Sequence, residues 1–240
     1  GDKAVPYLQD DAPEENPAMG WRALRVALER SGLLKVQARA LLDAAADREL
    51  NLMFPMVTEP WEFEQARAIV EEQVAYMRNR GISLPSRIRY GVMMEVPALA
   101  WRLDALLPHI DFLSIGTNDL IQFLLAADRS NPKLADRYDW LSPGILRFLK
   151  FIIDQASAAD KAVSVCGEMG GRPLEALALM GLGVNRLSIT PAAIGPIKMM
   201  VRNTHLGRLR ERMSELLTHP LADIRAELQR FTREENIPLQ

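Results

Sequence analysis

The sequence predicts an α/β fold: a (β/α)8 TIM-type barrel without its first two β/α units, with extra helices at the C-terminal end. Three observations predict it. Short, nearly continuous apolar runs recur along the chain, as in parallel strands buried on both faces. Helical patterns with one apolar stripe follow most of them. The alternation repeats at roughly 30 residues, the pitch of a ~250-residue barrel of eight units. An open doubly wound sheet shares this alternation, and pattern alone does not separate the two.

The elements follow in order. Ala23–Leu28 is the first strand-like run, and Leu33–Ala46 is a helix with apolar Leu33, Leu34, Val36, Ala40 and Leu41. Leu50–Val57 is a strand, and Trp61–Arg78 a helix repeating Phe63, Ala66, Ile69, Val70 and Val74. Strands follow at Tyr90–Val96 and Phe112–Ile115, then a helix at Leu120–Ala126 opened by Asn118 and Asp119, which can cap it. The helix Ser142–Ala159 carries Ile145, Leu146, Leu149, Ile152 and Ile153, and strands at Ala162–Cys166 and Leu187–Ile189 close the series. Pro60, Pro97, Pro143 and Pro173 sit near helix starts, where a fixed φ and a missing donor cost least. Beyond them come helices Pro191–Arg202, Leu206–Leu217 and Leu221–Arg233; Leu221, Ile224, Leu228 and Phe231 form a stripe expected to dock on the body of the protein. Residues 1–240 are expected to form one domain, with the helical tail over about 204–240. Asp10–Asn16, with Pro13, is expected to be an exposed acidic loop. The chain opens Gly-Asp-Lys with no initiator Met, and the unit count leaves two units to be supplied upstream; a piece of a longer protein is expected.

Composition narrows the function. The 240 residues are 48% hydrophobic, enough for a sizeable core. Lys and Arg number 29 against 31 Asp and Glu, a net charge of −2, which argues against a nucleic-acid binder. The single cysteine, Cys166, excludes an intramolecular disulfide and suits a reducing, cytoplasmic compartment. No apolar run approaches the ~18 residues of a membrane span, and no signal peptide is evident.

In a parallel barrel, chemistry sits at the C-terminal ends of the strands. One strand ends in Glu95 before Val96-Pro97, one in Gly116-Thr117-Asn118-Asp119, and one in Cys166-Gly167-Glu168-Met169-Gly170-Gly171. Glu95 and Asp119 are two hard oxygen donors, the kind that holds Mg2+ while leaving positions for water and phosphate. Neither a histidine cluster nor a second cysteine offers a zinc-type site. Taken alone, Glu95 also fits a surface charge or a cap partner. Helix N-termini bind phosphate through free amides, and Gly116 would permit close backbone approach. Cys166 fits a small buried residue or, in a flexible glycine-rich turn, a nucleophile or general acid. Arg22, Arg25 and Arg129 are cations able to fork onto carboxylate or phosphate, each also compatible with a solvated surface. His109, His205 and His219 read as surface residues.

These residues carry a resemblance. Gly1-Asp2-Lys3, Glu15-Asn16-Pro17, Gly20-Trp21-Arg22, Met53-Phe54-Pro55-Met56, Gly91–Pro97, Asp111–Leu120, Asp128-Arg129 and Cys166–Gly170 occur in family-like order and spacing. Together they resemble the C-terminal phosphoenolpyruvate-binding domain of the Enzyme I family, the phosphoenolpyruvate-protein phosphotransferases of the bacterial phosphotransferase system. The stretch runs from residue 1 to about Arg202. Glu95-Val96-Pro97-Ala98 and the Leu-Asp-Ala-Leu-Leu-Pro segment are more similar to the nitrogen-related paralogue than to the sugar-transport form.

The resemblance implies a barrel that binds phosphoenolpyruvate with Mg2+, held by Glu95 and Asp119. Asn118, Asp119, Arg129 and Arg22 would contact substrate, and Cys166 would protonate the enolate carbon as pyruvate forms. The phosphoryl group would pass to a histidine on a separate N-terminal domain, then to a phosphocarrier protein. The family's barrels pair as homodimers. Two departures bear on the carry-over: neither Thr204-His205 nor Thr218-His219 has the glycine-rich context of the family's phosphohistidine, and the arginines that the family supplies from its first two strands would precede Gly1. The corresponding domain of pyruvate phosphate dikinase or phosphoenolpyruvate synthase is one alternative. A dimerisation or regulatory module without turnover is another.

Overall fold

The computed structural model describes residues 14–134, 137–219 and 223–239. The expected contribution of Gly1-Asp2-Lys3, most of the Asp10–Asn16 loop and Leu221 of the last helical stripe lie outside the described residues; Glu14, Glu15 and Asn16 are exposed. The chain divides into two compact units, one running to Met93 and including His109–Phe112, the other formed by Met94–Pro108 and the chain from Leu113 onward.

The first unit comprises α1 (Leu24–Glu29), α2 (Ser31–Ala44), β1 (Glu49–Phe54), α3 (Pro60–Asn79) and most of β2 (Arg87–Met94). β1 and β2 pair in parallel from Glu49 opposite Arg87 to Phe54 opposite Val92. The helix between them is the crossover that parallel pairing requires. α3 starts where the sequence supplies the means: Pro60 stands in its first turn, and Glu59 and Glu62 form a reciprocal capping box. Its Phe63, Ala66, Ile69, Val70, Val74 and Met77 are buried at helical spacing. Phe63 meets Phe54 edge to face with ring centres 5.8 Å apart, and Phe54 stacks on Tyr90 at 6.4 Å. Leu42, Val74 and Met77 close a second contact, flanked by Leu50, Leu84 and Ile88.

Ala23–Leu28 corrects an expectation. Its residues Leu24–Leu28 are helical, part of α1, with Leu24 and Val26 buried, and Ala23 is the turn residue before the helix. A short apolar run does not itself distinguish strand from buried helix. Leu24, Arg25, Ala27, Leu28 and Glu29 are good helix formers, with Val26 the β-branched exception.

The second unit holds α4 (Leu103–Leu106), most of β3 (Phe112–Gly116), α5 (Thr117–Leu125), α6 (Pro143–Ala158), β4 (Ala162–Cys166) and α7 (Pro173–Leu182). Three helices follow, α8 (Ile194–Arg202), α9 (Leu206–Thr218) and α10 (Ile224–Glu234). β3 and β4 are hydrogen-bonded neighbours. Leu187–Ile189, expected as a strand, is reduced to one parallel bridge between Val165 and Leu187. Its ladder is short because Arg186 and Ser188 alone exchange main-chain bonds with Val165. α6 buries Ile145, Leu146, Leu149, Ile152 and Ile153 as the periodicity predicts. α7 ends at Gly183, whose φ of 112° suits glycine and lets its amide reach back to Leu179 and Met180. α10 is capped by Asp223, which accepts from the Ala226 amide at 2.9 Å, and buries Ile224, Leu228 and Phe231.

Candidate active site

Of the candidate residues, Glu95, Asn118, Asp119, Arg129 and Cys166 belong to the second unit. β2 finishes at fully buried Met94, so Glu95 follows at the strand terminus and is 7% exposed. Val96-Pro97 then turns the chain into a 3-10 helix, Pro97–Arg102, with proline in its first turn. β3 passes directly into α5. Gly116 is the residue before the helix, and no side chain caps the helix there. Asn118 and Asp119 thus sit inside the first turn, not at the expected cap position. That frees both for other partners.

Asp119, 7% exposed, meets the Arg129 guanidinium, with Nη2 at 3.5 Å from Oδ1. Asn118 accepts the Glu168 amide on Oδ1 at 3.0 Å. Thr117, fully buried, donates to the Cys166 carbonyl at 2.9 Å. The β4 end is thereby tied to the start of α5. Gly167 completes the join: its φ is 101°, and a Cβ there would stand 2.5 Å from Thr117 Oγ1 and 2.8 Å from Asn118 Oδ1.

The Cys166 thiol is half-buried and engaged on both sides. Ser114 donates its hydroxyl to Sγ at 3.6 Å, and the thiol donates to the Ile115 carbonyl at 3.5 Å. Burial pushes the thiol above its ordinary value; the Ser114 hydrogen bond pulls it down, and the Glu95 carboxylate pushes it up again. A raised thiol holds its proton at neutral pH, which suits an acid better than a nucleophile.

A cavity of about 400 Å³ opens beside these groups, lined by Asn118, Gln122, Arg129, Glu168, Trp140 and Arg172 among others. Arg172 lies over the Trp140 ring, 4.3 Å from its centre. Glu95, Asp119 and Cys166 are not in its lining. For a metal, the described residues contain no cluster of three His, Cys, Asp or Glu side chains. The donors whose chemistry fits are Glu95, just after β2, and Asp119, in the first turn of α5, two buried carboxylates of one unit. Mg2+ asks for one or two protein carboxylates and hard oxygen, and this pair supplies that chemistry.

The structure thus brings together Glu95, Asn118, Asp119, Arg129 and Cys166 in the second unit. Arg22 belongs to the first unit, where its guanidinium donates to the Ala18 carbonyl at 3.1 Å. Arg25 is used in the same turn, donating to Met19 and Gly20 carbonyls. His109, His205 and His219 are exposed, as the sequence predicts, and His205 caps α9 by accepting the Arg208 amide. Ser114 and Gln122 were not singled out from the sequence. Each is a lone polar residue in an apolar run, Phe112-Leu113-Ser114-Ile115 and Leu120-Ile121-Gln122-Phe123, and that break in pattern was the available signal.

Comparison with known proteins decides the family. Residues 1–206 match the model described as PEP-utilising enzyme, PEP-binding domain. The chain belongs to the PEP-utilising enzymes. Within that family it is 39% identical over 212 residues to the phosphoenolpyruvate-protein phosphotransferase of Staphylococcus carnosus, covering 88% of this chain and 37% of that protein. The protein of the same name from Haemophilus influenzae is 39% identical over 206 residues, covering 85% of this chain and 36% of the relative. The chain therefore spans little more than a third of the length of these relatives. A citrate lyase structure from Burkholderia xenovorans matches with a TM-score of 0.52 at 19% identity, over 86% of this chain and 70% of that one. That likeness concerns fold alone, and it agrees with the parallel β/α class of TIM-type barrels predicted from the strand-helix alternation. No helix among the described residues is long and apolar enough to cross a membrane.

Proposed function

We propose that the chain is the phosphoenolpyruvate-binding part of a phosphoenolpyruvate-protein phosphotransferase. In that role it binds phosphoenolpyruvate, releases the phosphoryl group to a histidine on a separate N-terminal domain, and lets pyruvate go. The phosphoryl group then passes to a histidine phosphocarrier protein. The observation that carries this reading is the half-buried Cys166 thiol at the end of β4, which donates to the Ile115 carbonyl, in the same unit as the buried carboxylates Glu95 and Asp119.

Phosphoryl transfer needs positioning and charge neutralisation more than covalent help from the protein. Arg129 and Asn118, both on the wall of the cavity, are suited to phosphate and carboxylate oxygens. Glu95 and Asp119 are proposed to hold Mg2+, which when bound supplies charge neutralisation for the phosphate. As the bond between phosphorus and the enol oxygen breaks, its electron pair stays on oxygen and leaves pyruvate as its enolate. Cys166 gives its proton to the methylene carbon; the S–H bond breaks, a C–H bond forms, and sulfur keeps the electron pair. The thiolate then has the Ser114 hydroxyl at hand as a donor.

Pairing into a homodimer is part of the same reading. Ile194, Met199, Val201 and Leu206, on α8 and the start of α9, are exposed apolar side chains that a second copy would cover. A cytoplasmic location accords with the lone thiol. The deciding experiment is isothermal titration of the chain with phosphoenolpyruvate, with and without Mg2+. Metal-dependent binding is expected; none at millimolar ligand overturns the proposal and favours a module without turnover.

A further inference from the structure

We propose that Gln122 is a positioning residue of this site, fixing Arg129 against the anion cavity; the proposal rests on the phosphoenolpyruvate reading above. Gln122 is 9% exposed in a helix whose neighbouring positions are Leu120, Ile121, Phe123, Leu124 and Leu125. A buried amide is costly unless its polar atoms are used. Here the side-chain oxygen and the main-chain carbonyl of Gln122 are both used on one short segment. The Gln122 carbonyl accepts the Ala127 amide at 3.0 Å, and its side-chain Oε1 accepts the Arg129 amide at 3.1 Å. A main-chain N–H can only donate, so the side-chain oxygen must be the atom facing Arg129.

Between these two bonds the chain reverses. Ala126 ends α5 in the left-handed region, φ 50° and ψ 40°, a conformation that a residue with a Cβ adopts at a cost. The turn persists because Gln122 holds it from both its main chain and its side chain. Asp119 and Gln122 lie three positions apart on α5, hence on neighbouring positions of one helix face. The returning segment brings the Arg129 guanidinium to Asp119, and Arg129 and Gln122 both line the cavity with Asn118. Arg129 is itself half-exposed on a long stem. Fixing such a side chain carries an entropic cost, which an anchored main chain reduces. Without Gln122 the arginine is still present but no longer placed.

Two measurements test this. In the first, amide hydrogen exchange by NMR is compared for wild type and Gln122→Met. The Arg129 amide is expected to exchange about tenfold faster in the variant while the β3 amides keep their protection. Gln122→Glu, which keeps the acceptor, restores protection. Unchanged Arg129 exchange in Gln122→Met, with β3 intact, overturns the proposal.

In the second, the KM for phosphoenolpyruvate is measured in the full-length protein for Gln122→Met, Arg129→Ala and the double variant. Gln122→Met is expected to raise KM about tenfold with kcat within about twofold, and to add less than about twofold in the Arg129→Ala background. Additive effects overturn this proposal alone, because Gln122 would then act elsewhere. Indifference of the wild-type protein to phosphoenolpyruvate overturns the substrate reading, and this proposal with it.

Discussion

Thr117 and Cys166 are joined by a 2.9 Å hydrogen bond from the threonine hydroxyl to the cysteine carbonyl, across 49 positions of sequence. Thr117 is fully buried, so this bond forms away from water and ties the first residue of α5 to the last residue of β4. The thiol's position is thereby set relative to Asn118 and Asp119, the next two residues of the helix.

Replacing Thr117 with Val keeps the branched shape and removes the donor. The Cys166 carbonyl loses the Thr117 donor, a loss of about 1–2 kcal/mol in unfolding free energy. Urea unfolding at neutral pH measures it. In the full-length enzyme, pyruvate formation is expected to slow while phosphoenolpyruvate KM changes little. A variant with wild-type stability would show that the bond contributes nothing to holding β4.

Cys166→Ala separates binding from proton transfer. The variant is expected to bind phosphoenolpyruvate with Mg2+ as wild type does, because Glu95, Asp119 and Arg129 are untouched. Pyruvate formation should fall by about 10²–10⁴-fold, the usual worth of a positioned general acid. Rapid-quench measurement of pyruvate in the full-length enzyme tests this; wild-type rates would defeat the assignment of the acid.

Glu95→Ala makes the complementary cut. Phosphoenolpyruvate binding that depends on Mg2+ should disappear, leaving the weak metal-independent component. Calorimetric titration with Mg2+ present and absent reads the difference directly. Unchanged metal affinity would remove Glu95 from the metal site.

Those residues were legible because a polar group at the end of an apolar run breaks a strong pattern. Glu95 after Met93-Met94 and Cys166 after Val163-Ser164-Val165 are examples, and β4 lies at the expected Ala162–Cys166. α6 was equally legible, since its stripe of Ile145, Leu149 and Ile152 recurs at helical spacing over about two turns. Ala23–Leu28 was not: six residues are too few for a period to show, and its helical state follows from packing on α2 and α3. The role of Gln122 is not legible in the sequence, because its partner is a main-chain amide seven residues on that comes within reach only when Ala126 turns the chain back. The apolar pattern places the start of α5 at Leu120, with Asn118 and Asp119 as caps; the helix begins three residues earlier, at Thr117, because Thr117-Asn118-Asp119 carry no apolar residue to mark it.

The C-terminal helix supplies the last test. Arg225 of α10 donates two bonds of 2.8 Å to Asp139, ahead of α6, and one of 2.6 Å to Glu175 of α7, which is 4% exposed. The Arg225 hydrogen bond holds the Asp139 carboxyl below its ordinary 3.8. A carboxylate with a depressed folded-state value contributes stability above its unfolded value, and loses it as pH falls through the folded one. Arg225→Met leaves buried Glu175 without this cation. At pH 7 the variant is expected to be less stable by about 1–3 kcal/mol, below the figure for a fully buried pair because the arginine is partly solvated. The difference should narrow as pH falls below the ordinary carboxylate value and through the depressed folded-state value of Asp139. Urea midpoints between pH 7 and 3 decide it: a gap independent of pH would mean that the Asp139 pair carries none of the stability of the docked helix.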